Sequence, residues 1–184
     1  MNPVIIVAVA VVVILLLYVI CTRNSFVKAN NSVEEAFSTM DVYLKKRWDL
    51  IPNLVNTVKG YAAHETSTLE KLVSMRTSTY SSLSTEDKIN ANNELSNGIS
   101  KLLAIAENYP DLKANQNFLN LSNELADTED EIANSRKYYN AVVKNFNNKV
   151  QMFPSNVIAG MFGYKEKTMF EAAEFERQNV KVEF

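Results

Sequence analysis

From Pro3 to Cys21 the chain carries no charged residue. Those nineteen positions, wound as a helix, reach about 28 Å, the thickness of one bilayer hydrocarbon core. Val4, Ile5, Ile6, Leu15, Leu16, Leu17, Tyr18 and Ile20 are among its members, and the run predicts a transmembrane anchor within residues 1–25. A cleaved signal peptide would want a basic start and a small-residue cleavage site. Asn2 and Pro3 are uncharged, and the cleavage pattern is missing. A lipoprotein site at Cys21 is disfavoured by the large Ile20 before it, so Cys21 reads as a thiol at the membrane edge. Before the run there is no Lys or Arg; after it come Arg23 and Lys28, then Lys45, Lys46 and Arg47. By the positive-inside rule this predicts a short N-terminus outside and the rest of the chain in the cytoplasm.

Beyond the anchor, apolar residues recur at steps of three and four. Val33, Phe37, Met40, Leu44, Trp48 and Ile51 make one helical stripe, and Leu54, Val58, Tyr61, Ala62, Leu69, Leu72, Val73 and Leu83 a second. Ile89, Leu95, Ile99, Leu102 and Ala106 make a third. The longest holds Phe118, Leu121, Leu125, Ile132, Tyr139, Val142, Phe146, Val150 and Phe153. No useful run alternates apolar with polar residues, so strands are not expected. Ser84, Thr85 and Glu86 form a cap-like start for the third helix, and Tyr109-Pro110-Asp111 stops it, with Asp111 able to cap the next. Pro52 either opens a new helix or kinks a continuous one, since Leu44, Ile51 and Val58 keep a seven-residue phase across it. Segment lengths favour the break. The expectation is an all-α chain: a single-pass transmembrane helix, an up-and-down four-helix bundle over 26–153, and an apolar tail over 154–184.

Composition narrows the function. The net charge is −2, with no basic block to hold nucleic acid. One cysteine excludes an internal disulfide, and one histidine excludes most metal and triad constellations. His64-Glu65 lacks the second histidine of a zinc-protease helix. A carboxylate-only metal site through Glu65, Glu107, Glu124 and Glu129 stays formally open. Otherwise no cofactor and no catalysis are expected.

The stretch from Asp41 through Trp48-Asp49-Leu50-Ile51-Pro52-Asn53-Leu54-Val55 to Gly60-Tyr61-Ala62-Ala63-His64-Glu65 resembles the signature of the LemA family. So do Glu107-Asn108-Tyr109-Pro110-Asp111-Leu112, the run from Thr128 to Val143, Phe153-Pro154-Ser155-Asn156-Val157-Ile158-Ala159-Gly160, and the closing Val182-Glu183-Phe184. Between Thr66 and Ser100 agreement is scattered. The resemblance implies a bacterial cell-membrane protein with a four-helix cytoplasmic bundle and no established catalytic activity. Magnetosome-membrane proteins are among the family's relatives, and its genes often sit beside membrane zinc proteases of the HtpX type.

Two features are candidate functional sites. Glu65 and Arg76 fall near the apolar phase of the second helix, and Glu129, Arg136, Asn140 and Asn147 follow one another beside the last stripe. Buried, they form either a paired ladder that fixes helix register or a polar groove for a partner helix. The second feature is the tail, where Val157, Ile158, Met161, Phe162 and Tyr164 precede Lys165 and Lys167. It forms either a lid on the bundle or a contact with the bilayer interface or a neighbouring subunit. A self-assembling scaffold, and next to it an adaptor for a membrane protease or other membrane protein, are the expected roles.

Overall fold

The structure, a computed structural model, describes residues 2–62, 65–74 and 80–170. Every regular element among them is helical. α1 spans Pro3–Lys59, α2 Thr66–Ser74, α3 Thr85–Glu107, α4 Pro110–Lys113, α5 Gln116–Gln151 and α6 Ser155–Phe162, with a single 3-10 turn at Tyr80–Ser82. The chain divides into two compact units: Met1–Ser38 with Lys137–Met169, and Thr39–Arg136 with Phe170–Phe184. α1 and α5 contribute residues to both.

α1 is continuous from the apolar run through Asn30, where the side-chain amide donates to Glu34 at 2.8 Å, and on through Pro52. The break expected at Pro52 is absent. Proline deletes one helical hydrogen bond and its ring presses on the preceding turn, at about 3 kcal/mol. Ile51, Leu54, Val55 and Val58 around it are all fully buried, and packing of that face holds the helix together across the defect. The helix ends instead at Gly60, where Tyr61 and Ala62 both donate to the Val58 carbonyl. The second predicted helix is thus split between the end of α1 and the nine-residue α2.

α3 starts as its sequence requires. Ser84 Oγ accepts from the Asp87 amide at 3.1 Å, with Glu86 and Asp87 in the first turn. It ends at Glu107 with Asn108 as its C-cap, and Tyr109 and Pro110 then open the one-turn α4. The cap of α5 is Asn115, whose Oδ1 accepts from the Phe118 amide at 3.0 Å, and not Asp111, which sits in the first turn of α4.

The buried positions follow a seven-residue spacing. On α1 these are Phe26, Val33, Met40, Arg47 and Leu54; on α5, Phe118, Leu125, Ile132, Tyr139 and Phe146; on α3, Asn92, Ile99 and Ala106. All but two are apolar or aromatic. Phe153, which closes the last predicted stripe, is 81 % exposed and lies outside this core.

Candidate functional site

The two polar exceptions meet. Arg47 is fully buried in the second unit, and its guanidinium is partnered from two other helices. Nη1 donates to both carboxylate oxygens of Glu129 on α5, at 2.7 and 2.8 Å, and to Ser96 Oγ on α3 at 3.0 Å. Nη2 donates to the carbonyl of Asn92 at 3.0 Å and to its side-chain oxygen. Asn92 in turn donates to the Lys88 carbonyl at 2.8 Å, and Ser96 Oγ donates to the Asn92 carbonyl at 3.0 Å. Only Nε of Arg47 finds no partner among the described residues. A guanidinium taken from water needs such partners, because a stranded buried charge costs several kcal/mol.

Nearly two turns before Arg47, Asp41 gathers a second polar group. It accepts from the Tyr80 hydroxyl at 2.7 Å and from Lys88 at 2.8 Å, while Lys88 Nζ stands 4.8 Å from the Tyr80 ring centroid. Trp48 leans on the same ring, at 5.4 Å between centroids. Burial raises the Tyr80 hydroxyl far above the ordinary tyrosine range, and the hydrogen bond to the Asp41 carboxylate raises it further. Tyr80 therefore stays a neutral donor.

In the first unit the interior is aromatic. Phe26 is stacked on Tyr164 (4.7 Å between centroids, 13° between planes) and meets Phe146 edge-on at 6.1 Å. α6 ends at Gly163, whose φ of 73° lies in the left-handed region that glycine enters without strain, and the Tyr164 amide returns to the Ala159 carbonyl at 3.0 Å. The strap that follows is held by its backbone. Asn147 Nδ2 donates to the Lys167 carbonyl at 2.9 Å and its Oδ1 accepts from the Lys167 amide at 2.8 Å. The Tyr139 hydroxyl donates to the Thr168 carbonyl at 3.0 Å, and burial raises its pKa.

The residues singled out by sequence fall as follows. Glu129 joins Arg47. Arg136 stands 5.3 Å from the centroid of the Phe170 ring, and Asn140 is half-buried with a partner of its own. Glu65 is half-buried just before α2, and not within a long helix. Arg76, like His64 and Val182-Glu183-Phe184, lies outside the described residues. Glu107 pairs with Lys113 and Glu124 with Lys46, so these carboxylates and Glu129 each answer a different cation. In the tail, Ile158 is buried and Tyr164 is stacked inside, while Val157, Met161 and Phe162 are exposed. Val4, Ile5, Ile6, Leu15, Leu16, Leu17, Tyr18 and Ile20 are all exposed, as a segment meant for lipid must be.

Sequence reasoning missed Arg47 and Asn92. By sequence Arg47 reads as one of five flanking cations, yet Met40, Arg47 and Leu54 stand seven apart and the arginine occupies the centre of the buried phase.

An apolar helix long enough to cross a bilayer, continued by packed helices whose interior charges are spent on one another, defines a membrane-associated all-helical protein. The LemA family model matches residues 36–184, and the chain belongs to the LemA family. Over 163 residues it is 29 % identical to Protein LemA of Metamycoplasma hominis, covering 86 % of this chain and 73 % of that protein. It is 24 % identical over 174 residues to Magnetosome protein MamQ 2 of Paramagnetospirillum magneticum, and over 173 residues to Magnetosome protein MamQ of Magnetospirillum gryphiswaldense. In both pairs the match takes in 80 % of this chain and spans 64 % of the relative's length.

Proposed function

We propose that the chain is a membrane-anchored helical scaffold that self-associates on a bacterial cell membrane and organises membrane or membrane-protein complexes without catalysing a reaction. α1 anchors it with its first turns outward, and the helical body and apolar tail lie on the cytoplasmic side. The observation that carries the structural part of this reading is the partnering of Arg47 from two other helices. Four of its five N–H donors go to Glu129, Ser96 and Asn92, an arrangement suited to locking three helices in one register. Relatives named as magnetosome proteins support a membrane setting. Weak contacts at anchor, bundle and tail then add by avidity when copies share a membrane.

Light scattering of the full-length chain in mild detergent tests it. A large, defined homo-oligomer formed without added partners is the expected result. A monomer overturns self-assembly and leaves the adaptor role, in which the bundle presents a helical face to a membrane protease of the HtpX type or another membrane protein; crosslinking in the membrane would then seek that partner.

A further inference from the structure

α6 and the residues before it expose Met152, Phe153, Val157, Met161 and Phe162, while Ile158 and Ala159 on the other face are buried in the first unit. Five large apolar side chains within residues 152–162 are more than a water-facing surface ordinarily leaves uncovered. Two further observations identify what covers them. The first is position: the Arg23 guanidinium, two residues past the uncharged run, stands 5.3 Å from the centroid of the Phe162 ring. Tyr18, Cys21, Thr22 and Ser25 of α1 line a cavity of about 320 Å³ together with Lys149 and Ser155. α6 therefore lies against the last turns of the apolar run, the level at which a spanning helix meets headgroups.

The second observation is charge. The first unit holds seven cations, Arg23, Lys28, Lys137, Lys144, Lys149, Lys165 and Lys167, against three acids, Glu34, Glu35 and Glu166, whereas the whole chain has 19 Lys and Arg to 21 Asp and Glu. A second copy of the chain would bring the same cations against these, which like-charge repulsion opposes; an anionic lipid surface complements them.

We propose that α6, with Phe153, lies in the headgroup boundary of the bilayer that α1 crosses, its apolar face in the acyl region and Arg23, Lys28, Lys149 and Lys165 among anionic headgroups. This rests on the reading of α1 as a membrane span. The clamp on the strap at Lys167 and the left-handed turn at Gly163 hold α6 in that orientation.

The test uses the full chain in vesicles, with Cys21→Ser to remove the native thiol and a nitroxide placed in turn at Met161→Cys, at Leu15→Cys within the anchor, and at Asn97→Cys on the exposed face of α3. Collision with oxygen, which concentrates in lipid, is compared with collision with a water-soluble nickel complex. At Met161 the oxygen-to-nickel ratio is expected to exceed that at Asn97 several-fold and to approach that at Leu15. It should rise further when phosphatidylglycerol is added to phosphatidylcholine vesicles, and Lys28→Glu with Lys165→Glu should remove that rise. A lipid-exposed Leu15 label beside a Met161 label that behaves like Asn97 overturns this proposal alone; a water-exposed Leu15 label overturns the span itself. Shielding of Met161 from both reagents, with dipolar broadening between labels, means that a second copy covers the face and also overturns it. Equal ratios with and without phosphatidylglycerol overturn the anionic-headgroup contact.

Discussion

The two units solve the problem of a specific interior in opposite ways. The second places a cation at its centre and surrounds it with a carboxylate, an amide and a hydroxyl from two other helices. The first uses three interlocked rings, Phe26, Phe146 and Tyr164, and holds its strap with neutral hydrogen bonds. An aromatic cluster tolerates small adjustments, because its energy comes from many contacts that change gradually with distance. A buried guanidinium does not, because one lost partner exposes a whole charge to a low dielectric. The second unit is therefore expected to fail abruptly when altered, and the first by degrees.

The largest effect separating them should come from Glu129→Ala, which strands a fully buried Arg47. The expected loss is about 3 kcal/mol, near the low end for a broken buried pair because the Glu129 side chain is 37 % exposed and water can enter where it stood. Urea unfolding followed by Trp48 fluorescence reports it, since the single tryptophan sits in this unit. Arg47→Met together with Glu129→Leu should recover more than half of the loss. If Glu129→Ala is neutral, the cation is not the keystone and the contrast collapses.

A smaller change is expected from Asn147→Ala in the first unit. Two hydrogen bonds to the backbone of Lys167 disappear, at about 1–2 kcal/mol, and the strap loosens without unfolding the aromatic cluster. Trypsin should then cleave after Lys165 and Lys167 roughly tenfold faster, with Trp48 fluorescence unchanged. A loss of Trp48 signal at the same urea concentration would mean that the two interiors unfold as one.

The smallest effect is the order in which two tyrosines ionise. Both are raised, but Tyr80 gives its proton to a carboxylate while Tyr139 gives its proton to a peptide carbonyl. In the unfolded chain each loses its proton near pH 10, whereas the folded chain retains it to higher pH. Their contribution to stability is therefore fully present below about pH 10 and is lost as pH rises beyond it. An ultraviolet titration of tyrosinate, compared among the parent chain, Tyr139→Phe and Tyr80→Phe, should assign the earlier of the two buried steps to Tyr139. The reverse order would contradict the difference in their partners.

Much of this was legible in advance, and the failures share a cause. The anchor, the apolar stripes, the cap at Ser84 and the stop at Tyr109-Pro110 are local signals carried by neighbours in the chain. Glu129 could be marked as out of place beside an apolar stripe, but its partner lies 82 residues away and no spacing within one helix points to it. Arg47 has the phase of a buried position but the type of a surface one, and only its partners on two other helices reconcile the two. Pro52 misled because a local breaking tendency was weighed without the burial of Ile51, Leu54, Val55 and Val58, which depends on the whole fold. The tail offered a short segment in which periodicity could not separate the inward Ile158 from the outward Met161.

The strap also bears on how this surface can diverge. Asn147 grips the backbone N–H and C=O of residue 167, and Tyr139 the backbone carbonyl of residue 168, so neither of these grips reads a side chain. At position 167 the backbone grip itself accepts any amino acid but proline, which has no N–H to offer, although the lysine present adds its ammonium 5.5 Å from the centroid of the Phe146 ring. Mutation can therefore drift through the charge of this segment without unlatching it. A lineage living with a different lipid composition has here a dial it can turn while the helices beneath stay as they are.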